Sequence, residues 1–427
     1  MAPSLTETAP EPPHMLTSTN KSAFPDGLKT SGQHPPVYSR LRPYTEFPKQ
    51  ITGPTVWRAE DYRDHPERWT HVFSEEEIAE LGGAADDFLA SGVPLTGITR
   101  ALFPLPKLGA FFGTVRNEIL NGKGFILFKG VPVDEWGLEK SAAAYLGFGS
   151  WFGYFTSQNG KGHVLGHVKD LGEDPTKKDR VRIYRTNANR KAMARNWVSP
   201  QVIFSRQYFH TDGTDLVALL CIAKALEGGE SDIVSTHHVF NTLQQSHPEV
   251  VETLATPNWY FDRKGEVSAG QDPWYRSAIL FLEHAPNGGV TRVWSRLDPN
   301  NITSLARFSS GTDARIPPLS HAQQYALKVF EETCSRLALH MILDPGDIQL
   351  LANTHVFHAR TAYKDYPPGS VDEVTGRLKV RRHLMRLWLA TPEGEGGWRL
   401  AYHDSDEKKR GGIQVDDVAP VCPIDAE

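Results

Sequence analysis

The chain has 427 residues, of which 39% are hydrophobic and 10% aromatic, and a net charge of −5. It can bury a large core, and it has no basic field to attract a nucleic-acid backbone. Three widely spaced cysteines, Cys221, Cys334 and Cys422, exclude a disulfide framework and a CxxC zinc site. No apolar stretch approaches about 18 residues and no basic-then-apolar leader opens the chain, so the expectation is a soluble cytoplasmic protein without a membrane partner.

Residues 1–50 hold nine of the 30 prolines and almost no apolar periodicity. They read as an extended arm, free to lie on the body or on a partner subunit of a homo-oligomer. Residues 51–400 read as one catalytic domain and 401–427 as a polar tail. Ser74-Glu-Glu-Glu77 is a capping box that opens a helix carrying Ile78, Leu81, Ala85 and Phe88 at helical spacing. A second helix is predicted over Leu108–Leu120, then a buried strand in Gly124-Phe-Ile-Leu-Phe-Lys-Gly130, then a helix near Leu138–Phe148. Gly153–Gly172 is predicted as an ordered loop lining the substrate mouth, with Gln158, Asn159 and His163 as polar candidates. His163 and His167 have the spacing of a helical zinc pair but sit among glycines and lack a following glutamate.

From about Val181 short strands separated by turns take over. They are predicted over Gln201–Asp212, Leu216–Ala223, Ser231–Ser235, Ala278–Glu283, Gly289–Trp294 and Ile348–Ala352. Helices are predicted over His237–Gln245, where His237 and His238 read as solvated or capping, and over Ser320–Leu337. Trp274 and Tyr275 read as loop aromatics within reach of substrate.

His210-Thr-Asp212 places an imidazole and a carboxylate at i and i+2 near a strand end, so both point to one side. That is two-thirds of a 2-His-1-carboxylate facial triad for non-haem Fe(II). Tyr208 shares the nominal face and is a pocket candidate. For the second histidine, Asn353-Thr-His-Val-Phe-His358 offers His355 and His358, which point to opposite faces in an extended chain. Spacing alone leaves both open. Arg377–Ala390 alternates with both faces largely apolar, and a buried guanidinium needs an anion, so Arg382 or Arg386 is a receptor for a carboxylate.

With those residues in place the chain resembles the taurine/2-oxoglutarate dioxygenase (TauD/TfdA-like) family over roughly Phe125–Leu389. His210-Thr-Asp212 resembles its metal pair, and Gly228-Gly-Glu-Ser231 its Gly-Gly-Asp-Thr turn, with Ser for the usual Thr. Asn353 to His358 matches its distal-histidine spacing, and Arg381-Arg-His-Leu-Met-Arg386 its Arg-Arg-x-x-x-Arg strand. The resemblance implies a double-stranded β-helix (jelly-roll, cupin-like) barrel, mainly β with flanking helices. It implies Fe(II) on His210, Asp212 and His358, and 2-oxoglutarate bound by Arg382 and the Ser231 hydroxyl. Arg386 is then a ligand of either 2-oxoglutarate or substrate. Relative to compact members, about a dozen extra residues between His358 and Arg382, including Tyr366-Pro-Pro-Gly369, read as a surface insertion.

The implied reaction is O₂-dependent oxidation of a C–H bond in a small anionic or zwitterionic molecule, with release of succinate and CO₂. A peptide-side-chain oxygenase, a non-catalytic cupin-like binding protein and a zinc hydrolase built on His163 and His167 are the rival readings.

Overall fold

The computed structural model describes residues 41–169, 207–283, 292–309 and 314–426, apart from 368, 375, 392, 399–410, 414 and 417. Most of the arm, the strands expected between Val181 and Arg206, the start of the strand expected at Gly289 and the first part of the tail lie outside the described residues.

The N-terminal half supplies helices that lean on a sheet. Helix α1, Glu75–Ala90, starts at the expected capping box: Ser74 accepts from the Glu77 amide while the Glu77 side chain accepts from the Ser74 amide. Such a cap stabilises by about 1 kcal/mol. Helix α2 runs Leu108–Asn121 and α3 Val133–Ser150, the latter broken at Gly137, where φ is 69°. Strands β1 (Thr70–Val72), β2 (Phe125–Lys129), β3 (Tyr154–Phe155) and β4 (Leu165–Lys169) accompany them. The last two fall where an ordered loop was expected.

The second half alternates between two sheets. Its strands are β5 Gln207–His210, β6 Leu216–Ala223, β7 Ser231–Ser235, β8 Leu339–Met341, β9 Ile348–Ala352, β10 Val356–Arg360 and β11 His383–Ala390. The larger sheet has the order β1-β2-β9-β6-β11-β3, with β4 also on β11, and the smaller is β8-β7-β10-β5. This is the double-stranded β-helix. The two sheets share no ladder, so the expected barrel is an open jelly-roll sandwich.

Period-2 alternation sorts the strand residues into layers. On β11, Met385, Leu387 and Leu389 pack under α1–α3, whereas Trp388 faces the smaller sheet with Val217, Ile233, Leu351 and Val356. On β10, Phe357 and Ala359 face outward onto helices α4 (Thr236–Ser246), α5 (Pro248–Ala255) and α6 (His321–Leu337). His358 and Arg360 therefore face inward. The segment between α5 and α6 adds two hairpins, Trp259–Asp262 with Trp274–Ser277 and Leu280–Leu282 with Val293–Ser295. No helix of the described residues is long and apolar enough to cross a membrane.

Candidate active site

The antiparallel pairing of β5 with β10 sets His210 directly opposite His358. Their ring centroids lie 4.1 Å apart. Asp212, just past the end of β5, reaches back so that its Oδ2 is 4.0 Å from His358 Nε2. One ligand atom from each of His210, Asp212 and His358 lies within 4.8 Å of the others, so the three converge on one point between the sheets.

Their surroundings prepare them as donors. His210 Nδ1 lies 2.9 Å from the Tyr208 carbonyl and so carries the proton, which leaves the Nε2 lone pair facing the site, where it accepts from Gln207 Nε2 at 2.9 Å. Burial drives the His358 pKa down to about 3, His210 adds to the effect and Asp212 opposes it, so the ring is a neutral ligand at any working pH. Burial alone would raise the Asp212 carboxyl, but Arg386 and then the two histidines hold it below its ordinary value. Arg386 Nη1 sits 3.2 and 3.3 Å from the two Asp212 oxygens. Two imidazoles and a carboxylate held in its ionised form make a donor set that fits Fe(II).

The neighbouring turns explain the motif spacings. The Asp212 amide donates to Asn353 Oδ1 at 3.2 Å, so the residue five before His358 holds the loop that carries Asp212. His355 sits in the turn before β10 and points elsewhere, stacked on Trp398 at 4.8 Å and 2° between planes. Of the two histidines that spacing left open, His358 meets His210 and Asp212. Gly228 and Gly229 both have positive φ, 68° and 83°, and a Cβ on Gly229 would lie 2.7 Å from Arg382 Nε. Only glycine allows that backbone to approach the guanidinium.

Two cavities meet at the triad and share Gln207, His210, Asp212 and Arg386. The larger, about 310 Å³, reaches Ser231, Gln349, Arg360 and Arg382. Ser231 Oγ is 3.1 Å from Gln349 Oε1 and 3.0 Å from its Nε2. Arg382 is 6% exposed, donates to the Gly229 carbonyl at 3.1 Å and lies over the Tyr363 ring at 5.2 Å. No carboxylate among the described residues lies within ion-pair distance of it. Burial lowers its pKa, a cost that a bound anion would offset. The smaller cavity, about 150 Å³, lies on the other side of the triad against Arg263, Lys264, Tyr275, Arg296, Asn300 and Ile413.

Several expected pocket residues stand elsewhere. Tyr208 lines neither cavity, because Gln207 pairs with Arg360 while His210 pairs with His358, three residues against two. That bulge turns Gln207 onto the His210 face in place of Tyr208. Gln158 is a support for Arg386: its Oε1 accepts from Arg386 Nε at 2.8 Å and its Nε2 donates to the Arg386 carbonyl at 2.7 Å. Asn159 Oδ1 accepts from the Lys161 and His163 amides, and His163 bridges to Val421, so both organise a turn away from the cavities. His163 and His167 lie in extended chain rather than on a helix. His237 is fully buried against Thr55 and Val293 rather than solvated. Tyr275 reaches the smaller cavity from a strand, whereas Trp274 packs on Phe308. Arg360 and Gln349 were not singled out from sequence, yet strand parity with His358 and with Leu351 was a signal for both.

The family described as "Taurine catabolism dioxygenase TauD, TfdA family" matches residues 91–388. FR-33289 synthase of Streptomyces rubellomurinus is 30% identical over 349 residues, spanning 81% of this chain and 92% of that protein. The taurine hydroxylase-like protein SAT17 of Stachybotrys chartarum is 26% identical over 349 residues, 79% of this chain and 81% of its own. Among solved structures, an asparagine oxygenase in complex with Fe(II), 2S,3S-3-hydroxyasparagine and succinate has a TM-score of 0.52 at 14% identity, covering 75% of this chain and 94% of that one. That likeness is one of fold.

Proposed function

This chain belongs to the TauD/TfdA family of non-haem Fe(II)- and 2-oxoglutarate-dependent dioxygenases, and from that premise we propose that it oxidises a C–H bond of a small anionic or zwitterionic molecule. In this reading His210, Asp212 and His358 hold Fe(II), the larger cavity takes 2-oxoglutarate, and the smaller takes substrate. The observation that carries it is the convergence of the three donors at the junction of two separate cavities. Bound Fe(II), with 2-oxoglutarate and O₂, supplies the oxidising power and releases succinate and CO₂.

The protein's part is binding and orientation. Arg382 receives the distal carboxylate of 2-oxoglutarate as a fork, with the Ser231 hydroxyl beside it and Gln349 orienting that hydroxyl. Arg386, clamped by Gln158, keeps the Asp212 carboxylate ionised and aimed at the metal, so its first role is with the triad rather than with either small molecule. The smaller cavity is lined by charges of both signs, Arg263, Lys264 and Arg296 beside Asp262, Glu266 and Asp298, which suits a zwitterionic molecule or one with an anionic group, while Tyr275 and Trp388 provide an apolar wall.

The test is anaerobic addition of Fe(II) and 2-oxoglutarate with visible spectroscopy for the charge-transfer band of the chelate, followed by succinate release with sulfonates, amino acids and aryloxy acids. A band plus substrate-dependent succinate from anionic or zwitterionic compounds is expected. Absence of the band overturns the site, and turnover restricted to cationic or uncharged compounds overturns the substrate class.

A further inference from the structure

Outside the proposed catalytic centre, the described residues hold a second group with metal-ligand geometry: His167, His383 and Asp425 offer one ligand atom each within 4.8 Å of one another. It lies on the opposite side of the larger sheet. His383 alternates with Leu384 and Arg386 on β11, so it shares the outer face with Met385, and its register partner on β4 is Lys169, two residues from His167. Asp425 arrives from the C-terminal segment, which runs alongside: the Val164 amide donates to the Val421 carbonyl and the Val421 amide to the Gly162 carbonyl, both at 2.9 Å.

We propose that His167, His383 and Asp425 form a Zn(II) site that staples the C-terminal segment to the core strands β4 and β11. Both histidines are more than nine-tenths buried, 5% and 2% exposed, and their facing nitrogens, His167 Nδ1 and His383 Nε2, are 2.8 Å apart. Neighbouring nitrogens of a tetrahedral zinc with Zn–N near 2.0–2.1 Å stand about 3.3 Å apart, so a shift of roughly half an ångström admits the ion. His167 is already oriented for it: Nε2 donates to the Pro423 carbonyl at 2.9 Å, the outer hydrogen bond that fixes a ligating imidazole with its Nδ1 lone pair inward. His383 takes the Nδ1–H tautomer on binding and gives up the hydrogen bond to His167. Lys169 keeps one Asp425 oxygen at 2.8 Å, and the other oxygen completes three protein ligands, with water as the fourth.

The consequence reaches the substrate side. Upstream of the staple, the same segment places Ile413 in the wall of the smaller cavity, where the Ile413 amide donates to the Ser157 carbonyl at 2.7 Å. Zinc at the staple should therefore tighten substrate binding without altering the binding of Fe(II) or 2-oxoglutarate.

The experiment uses the full-length apoprotein, dialysed against Zn(II) and assayed for metal by mass spectrometry, together with Asp425→Asn, His383→Gln and His358→Ala. Wild type is expected to bind two equivalents, and Asp425→Asn one, with its Fe(II)–2-oxoglutarate band intact. His358→Ala should keep the staple zinc. Because Asp425 is exposed and terminal, its variant folds even if His383→Gln does not. Zinc should also raise the melting temperature of His358→Ala, whose triad is broken, and not that of the double variant His358→Ala/Asp425→Asn. A single equivalent in wild type, a second equivalent that persists in Asp425→Asn, or a zinc-dependent melting shift that persists in the double variant would overturn the proposal.

Discussion

Replacing Arg382 with Ala tests the co-substrate side of the site most directly. The guanidinium is 6% exposed and faces a cavity of about 310 Å³ that ends at the triad. A carboxylate held there by a fork would gain two charge-assisted hydrogen bonds, each worth roughly 1.5–3 kcal/mol. Water entering the space left by Ala would recover part of that, so a loss of about 3 kcal/mol is the expectation, or about 100-fold in 2-oxoglutarate affinity. Arg382→Lys keeps the charge and loses the fork, and about tenfold is expected. The assay is anaerobic titration of the Fe(II) protein with 2-oxoglutarate, followed by the charge-transfer band. Fe(II) affinity should stay within threefold of wild type, since Arg382 touches none of the three donors in the structure. A change in 2-oxoglutarate affinity of less than about threefold in Arg382→Ala would refute the reasoning and move the carboxylate to Arg360, the other arginine at that end of the cavity.

The two histidines flanking Val356-Phe357 should separate cleanly: His358→Ala abolishes the band, whereas His355→Ala keeps it and loses about 2 kcal/mol of stability in urea unfolding, because it strips the stack on Trp398. Gln158→Ala removes the acceptor that clamps Arg386, and should weaken Fe(II) by about tenfold while leaving 2-oxoglutarate affinity within threefold; the reverse order would place Arg386 on the co-substrate. Burial, opposed by the hydrogen bond to Val293 and assisted by Arg292, lowers the His237 pKa from 6.5 to about 4. Protonation therefore favours the unfolded chain. The contribution is fully present above pH 6.5 and falls by about 3 kcal/mol as pH drops to 4. Urea unfolding across that range should be less acid-sensitive in His237→Gln than in wild type, and equal slopes would exclude His237 as a source.

Much of the catalytic chemistry was legible because it is local. His210 and Asp212 are two residues apart, strand parity allows only one of His355 and His358 to join them without choosing which, and Arg382 and Arg386 share one face of a strand whose pattern announces burial on both sides. Each of these follows from period-2 geometry within one short segment. Short strands punctuated by turns made a β-sandwich or barrel legible for the same reason, and the family resemblance narrowed it to the jelly-roll. The helices predicted over Leu108–Leu120 and Ser320–Leu337 ended within a residue or two of the observed ones.

What tertiary structure decided was every relation between segments. The bulge that turns Gln207 inward and Tyr208 away arises only when β5 is laid against β10, and no pattern within either strand encodes it. Gln158 became the clamp of Arg386 because β4 and β11 pair, and the hairpin insertion placed Arg263, Lys264 and Arg296 opposite the triad. The pairing of His167 with His383, 216 residues apart, follows from β4 joining the edge of β11. A side chain's face is set by its neighbours along the chain, but which groups it meets is set by the packing of strands distant in sequence. The candidate donors could therefore be narrowed from the sequence to His210, Asp212 and one of two histidines, and the walls of the cavities they open onto could not be read from it at all.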